Sequence, residues 1–144
     1  MISISIAREY TWEMGHALWK HQGKCFNPHG HNYRMEVEVS GPVDKESGMI
    51  MDFERLDGIV DSEIRDHDHQ FAMNQADERY RAADLHPDCG CHFEILEMSY
   101  EPTAENLALR FFNFIEGRLE PGSLILERVT LYETDRARAT VRRS

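Results

Sequence analysis

The chain predicts an α+β fold with an antiparallel sheet, on three observations. Apolar and polar residues alternate with the period of a strand in the opening segment and over 33–40, and the helical period of 3.6 marks two later stretches. The strand-like segments also come in adjacent pairs, whereas parallel βαβ units would place a helix inside each pair.

Taken in order, Ile2, Ile4 and Ile6 alternate with Ser3, Ser5 and Ala7, predicting a first strand with one buried face. A cleaner alternation sets Tyr33, Met35, Val37 and Val39 against Arg34, Glu36, Glu38 and Ser40, and Gly41-Pro42 ends it. A turn over 43–48 leads to Met49-Ile50-Met51. Asp52 is then placed to cap a helix that carries Phe53, Leu56, Ile59/Val60 and Ile64 at helical spacing. Residues 75–92 read as a long polar loop, and 93–100 are compatible with a strand. Pro102-Thr103-Ala104-Glu105 opens a second helix whose stripe is Leu107, Ala108, Phe111, Phe112 and Ile115, stopped by residues 117–122. Residues 124–133 and 137–141 form a closing hairpin around Thr134-Asp135-Arg136.

The length of 144 residues suits one domain, and 41% hydrophobic with 29% charged residues is an ordinary soluble balance. No apolar run approaches the ~20 residues of a membrane helix. The first residues lack the basic and apolar regions of a signal peptide. A net charge of −10 disfavours a nucleic-acid partner, while a small anionic substrate needs only a local cationic pocket. Three cysteines, an odd number, beside eight histidines argue against a disulfide framework and for a reducing compartment, the cytoplasm by default.

The chemistry concentrates in Cys25-Phe26-Asn27-Pro28-His29-Gly30-His31. His29 and His31 are two residues apart at the entry of a strand, so both side chains take one sheet face. An isolated His-Gly-His is more commonly an exposed turn. His16 changes that balance, because its segment should pair with the strand of His31. Three histidines leave a fourth zinc position for water or substrate, the pattern of a catalytic site. Cys25 stands four residues before His29, and a thiol gains reactivity near a cation or a histidine base. Arg65-Asp66-His67-Asp68-His69 offers such a base, since an Asp beside a His orients the imidazole. The residues alone do not choose between His67 and His69, and a solvated helix end is the plain alternative. Glu133 either binds a guanidine-like edge through two parallel hydrogen bonds or is a strand-end surface residue.

Five motifs then occur in order: Cys25-x-x-x-His29-Gly30-His31-Asn32-Tyr33, Gly48-Met49-Ile50-Met51-Asp52-Phe53-x-x-Leu56, Asp68-His69, Pro102-Thr103-Ala104-Glu105-Asn106 and Tyr132-Glu133-Thr134. Together they resemble the 6-pyruvoyltetrahydropterin synthase / 6-carboxytetrahydropterin synthase family over nearly the whole chain. The resemblance implies that residues 1–144 form one tunnelling-fold (T-fold) domain. Such a domain has a four-stranded antiparallel sheet with two helices on one face. Trimers close a barrel, and two trimers stack into a homohexamer with active sites between subunits. It implies His16, His29 and His31 as zinc ligands and Cys25, Asp68 and His69 as the catalytic group. The interval from Asp52-Phe53 is what selects Asp68-His69. Glu133 would anchor the pterin, with Thr103 assisting. The nearest cations in sequence for a triphosphate are Lys20, Lys24 and Arg34.

The chain departs from the family pattern at Trp12–His16, where Phe-x-Ala-Ala-His is usual, and at 68–74, which is one residue longer than usual. The connection over 79–98 is also long and holds His86, Cys89, Cys91 and His92, expected to be a polar loop and not a second metal site. Both family activities start from 7,8-dihydroneopterin triphosphate. The three-residue gap between Cys25 and His29 resembles the bacterial carboxy enzymes, whereas the animal pyruvoyl enzymes have a longer one. The favoured reading is therefore a zinc-dependent lyase, 6-carboxy-5,6,7,8-tetrahydropterin synthase, releasing acetaldehyde and triphosphate on the way to queuosine and deazapurines. A pyruvoyl synthase and a non-catalytic zinc-binding module are the alternatives.

Overall fold

The computed structural model describes residues 2–79 and 95–144. Its elements run β1 (Ser5–His16), a 3-10 turn (Lys24–Phe26), β2 (His29–Ser40), α1 (Phe53–His67), β3 (Phe71–Asn74), β4 (Ile95–Met98), α2 (Ala104–Glu116), β5 (Ile125–Thr134) and β6 (Ala137–Arg142). The sheet order is β4-β3-β1-β2-β5-β6. Within the run β1-β2-β5-β6 each pair of neighbours is antiparallel, giving the expected four-stranded unit. Two short strands extend it. The chain leaving α1 is caught by the end of β1, where the Gly15 N–H donates to the Gln70 carbonyl at 3.0 Å. Residues 71–74 then run parallel to β1, and β4 adds parallel to β3, so the whole sheet is mixed and six-stranded.

The opening alternation behaves differently from its prediction. Ile2 and Ile4 are exposed, because they lie at or beyond the end of the β1–β2 ladder at Ser5↔Ser40. The buried face of β1 is Tyr10, Trp12, Met14 and His16, and it meets Tyr33, Met35, Val37 and Val39 of β2. Trp12 stacks on Tyr33 at 5.4 Å and packs against Phe111 of α2 at 5.0 Å, which locks helix to sheet. Truncating such a buried ring costs about 3–5 kcal/mol.

The helices start where their caps predict. The Asp52 carboxylate accepts from the Glu54 N–H at 2.9 Å, and the Thr103 hydroxyl accepts from the Asn106 N–H at 3.3 Å. The stripe of α2 is buried as its periodicity requires, whereas Phe53 at the start of α1 is exposed. The two helices are joined by an ion pair, Arg110 Nε to Glu63 Oε1 at 2.6 Å, with the Glu63 side chain only 4% exposed. No helix among the described residues is long and apolar enough to cross a membrane.

His67 lies at the end of α1, fully buried, with Nδ1 donating to the Glu63 carbonyl at 2.7 Å and its ring against Phe111. Burial pushes its pKa down, opposed by the Glu63 carbonyl and carboxylate. The unfolded chain takes up a proton near pH ~6.5 that the folded chain refuses. His67 therefore favours the folded state above that pH, and its contribution is lost as pH falls below it. Between about pH 7 and about pH 5, the melting temperature of His67→Leu should decline less than that of wild type. Equal declines would show that His67 carries none of the acid sensitivity.

Candidate metal centre and active site

The register of β1 on β2 sets His16 opposite His29 and Met14 opposite His31, so three imidazoles meet at one end of the helix-covered face. Glycine makes the approach close enough. A Cβ at Gly15 would lie 2.9 Å from the Phe71 ring, and one at Gly30 would lie 3.2 Å from the Met14 carbonyl oxygen. The His16 Nε2 is 3.0 Å from the His29 Nε2 and 3.2 Å from the His31 Nε2. Among the described residues these three form the group of converging donors, with ligand atoms within 4.8 Å of one another.

Outer hydrogen bonds fix the ring tautomers. His16 Nδ1 donates to the Pro102 carbonyl at 2.7 Å, and His29 Nδ1 donates to the Asn27 carbonyl at 2.8 Å. Each Nε2 then carries a lone pair, and two lone pairs facing at 3.0 Å repel unless a cation lies between them. The spacing is near the edge of a tetrahedron with bonds of 2.0–2.1 Å, about 3.3 Å. Burial holds His16 down at about 4, with the Pro102 hydrogen bond opposing. His31 is also lowered, by burial and by His29. Neutral imidazole is the ligand form. The donor set fits a divalent transition metal with an open coordination position.

The other expected residues divide between the two faces of the sheet. Glu133, on the same face as buried Leu131, is raised above the usual carboxylate range by burial and by the charge of Glu105, while His29 lowers it. Thr103 caps α2 directly after Pro102, so the start of this helix forms a second wall beside the histidines. Cys25 is half-buried in the 3-10 turn, its carbonyl accepting from the Leu18 N–H at 2.8 Å, and it stands outside the converging donors.

Asp68 and His69 take the opposite face. The His69 N–H donates to the Glu13 carbonyl at 2.7 Å, and the Asp68 carboxylate accepts from the Glu13 N–H at 3.1 Å. His69 Nδ1 lies 2.9 Å from Asp68 Oδ1, and Nε2 lies 3.5 Å from Glu13 Oε2. Glu13 alternates with Met14 and His16, so this exposed pair faces away from its own chain's histidine cluster. His67 is buried in the core and His69 is 73% exposed, which separates the two rings that sequence alone could not. Arg34 also lies on the outer face, paired with Glu9 at 2.9 Å and stacked on Tyr132 at 3.7 Å, away from the centre. His86, Cys89, Cys91 and His92 lie outside the described residues.

Three contributors escape sequence reasoning. The Pro102 carbonyl is a backbone group with no signature. Glu105 reads as an ordinary first-turn acid of α2. Arg79 sits in a stretch that reads as polar loop, yet it reaches the carbonyl of Phe26, the residue after Cys25, at 2.6 Å.

The family profile described as 6-pyruvoyl tetrahydropterin synthase matches residues 5–144. The 6-carboxy-5,6,7,8-tetrahydropterin synthase of Aquifex aeolicus is 31% identical over 154 aligned residues, covering 93% of this chain and 94% of its own. The enzyme of the same name from Haemophilus influenzae is 34% identical, covering 90% and 92%. Among solved structures, the 6-pyruvoyl tetrahydropterin synthase of Caenorhabditis elegans superposes with a TM-score of 0.71 at 25% identity, covering 100% of this chain and 98% of that one.

The geometry of the cluster makes a direct prediction. Metal-stripped protein titrated with a divalent transition metal should bind one ion per chain at these histidines, and His16→Ala or His29→Ala should abolish that stoichiometric binding. Full binding by His16→Ala would remove the cluster as the metal centre.

Proposed function

Since the chain belongs to the 6-pyruvoyl tetrahydropterin synthase family, we propose that it is a zinc-dependent 6-carboxy-5,6,7,8-tetrahydropterin synthase acting on 7,8-dihydroneopterin triphosphate. The observation that carries this reading is the set of three converging histidines, with the half-buried Glu133 carboxylate on the same face. The short gap from Cys25 to His29 and the names of the relatives support the carboxy reaction over the pyruvoyl one. The odd number of cysteines supports a place in a reducing cytoplasm.

In this reading His16, His29 and His31 hold zinc, which supplies Lewis acidity at the hydroxyls of the substrate side chain. Glu133 accepts two N–H groups from the amino-pyrimidinone edge of the pterin, and partial burial strengthens that pairing. Thr103 borders the same pocket. Cys25 takes a proton from side-chain carbon. His69, oriented by Asp68, moves protons at the side-chain oxygens. Acid–base groups of this kind contribute ~10²–10⁴-fold each.

The outward direction of Asp68 and His69 supports an active site completed between chains, in which one copy brings this pair to the histidines and Cys25 of another. The sheet edges support the same assembly. β1 is paired to β3 only at Gly15 and His16, and the outer edge of β6 has no partner strand among the described residues. Pairing of such edges between copies would close a barrel of three chains and remove exposed edges. Two barrels stack into a homohexamer.

Incubation of the metal-replete protein with 7,8-dihydroneopterin triphosphate, followed by mass spectrometry, should give 6-carboxytetrahydropterin, acetaldehyde and triphosphate. A 6-pyruvoyl product would reassign the reaction, and no turnover by the metal-loaded oligomer would remove the enzymatic reading. Cys25→Ala and His69→Ala should each be inactive with metal retained. Unfolded and refolded together in equal amounts, they should recover about a quarter of the wild-type rate, because random assembly leaves that share of sites intact. No recovery would place both residues in one chain's site.

A further inference from the structure

The turn that carries Cys25 has little to hold it in place by itself. It is a single 3-10 turn closed by Phe26 N–H to Gly23 carbonyl at 3.1 Å and Asn27 N–H to Lys24 carbonyl at 3.0 Å, and no side chain caps its start. Its anchors come from elsewhere. Arg79 Nη1 donates to the Phe26 carbonyl at 2.6 Å, and its other nitrogens bind Asp77, Nε to Oδ1 at 3.0 Å and Nη2 to Oδ2 at 2.8 Å. The guanidinium lies 3.5 Å over the Phe26 ring and 5.3 Å from that of Trp19, and these two rings stack at 6.3 Å. The Asp77 side chain is wholly buried, and its carboxylate also accepts from the Arg79 N–H.

We infer that Asp77 and Arg79 are positioning residues for Cys25, a clamp that aims the thiol by gripping the peptide on its C-terminal side. The inference rests on the proposed role of Cys25 as proton acceptor. Two consecutive carbonyls are held from different segments, that of Cys25 by Leu18 and that of Phe26 by Arg79, so the backbone leaving Cys25 is fixed at two successive peptides. Buried Asp77 holds the guanidinium plane in register through two parallel hydrogen bonds, which leaves Nη1 directed at the carbonyl. Lysine carries the charge but not the planar fork, and cannot serve both oxygens of Asp77, the carbonyl and the ring face together. The clamp joins the catalytic turn to the chain that follows β3.

The test uses full-length protein with Cys89→Ser and Cys91→Ser, so that Cys25 is the sole thiol, and compares Arg79→Lys, Arg79→Ala and Asp77→Asn with that parent. Arg79→Lys should keep one metal per chain, the oligomer size and a KM within about threefold, while kcat falls roughly 10–100-fold, the cost of misplacing a reacting group by about an ångström. Alkylation of Cys25 by iodoacetamide should become about tenfold faster as the turn loosens, and Asp77→Asn should move both readouts in the same direction. Unchanged kcat and alkylation in Arg79→Lys would overturn the clamp. So would a fall in kcat matched by metal loss or by an equal rise in KM, which marks general scaffolding. Should Arg79→Ala not fold, the Lys variant and the alkylation rate still decide. Faster alkylation with kcat unchanged would uphold the clamp and place the error in the catalytic role of Cys25.

Discussion

The antiparallel register of β1 on β2 is the constraint on which the site depends. Because side chains alternate with a period of two, pairing His16 with His29 and Met14 with His31 puts three imidazoles on one face within ligand distance. A slip of one residue would send His29 and His31 to the opposite face from His16. The register is protected along its length by the core that the same face buries, from Trp12 stacked on Tyr33 to Val37 and Val39 under the helices. Core packing and the convergence of the histidines are thus set by one pairing.

The histidines also need partners that the hairpin cannot supply. Pro102 and Asn27 donate no side chain to the centre, yet their carbonyls take the Nδ1 protons and turn both Nε2 atoms inward. Pro102 is held in place by the start of α2, whose cap at Thr103 and buried face of Leu107 and Phe111 tie it to the sheet. The pocket therefore inherits its precision from helix packing some distance away. On the same face, burial and then the charge of Glu105 raise the proton affinity of Glu133, while His29 lowers it.

The sheet separates chemistry by face. The helix-covered side holds the histidines and Glu133, while the open side carries Glu13, Arg34, Asp68 and His69 with their ion pairs. A single chain cannot bring His69 round the edge of β1, since its backbone is bonded to Glu13. This partition is what makes assembly between copies part of the proposed chemistry.

The sequence by itself determined much of this. Tyr33 to Val39, Leu107 to Ile115 and the caps Asp52 and Thr103 are local patterns whose period or hydrogen bond is written in a few neighbouring residues. The same holds for His29 and His31, two apart on a strand, and for His16 once hairpin pairing is assumed. Only the tertiary structure decided the rest, because it depends on contacts between residues far apart in the chain. Ile2 and Ile4 have a strand's alternation, yet the ladder reaches no further than Ser5, so their burial was never local information. β3 is four residues long and forms because β1 offers an edge to the chain leaving α1. His67 and His69 differ by two positions and have equal sequence claims, and helix packing against Phe111 alone buries one and leaves the other in solvent. Arg79 reads as a loop cation until the fold brings it over Phe26, 53 residues earlier in the chain.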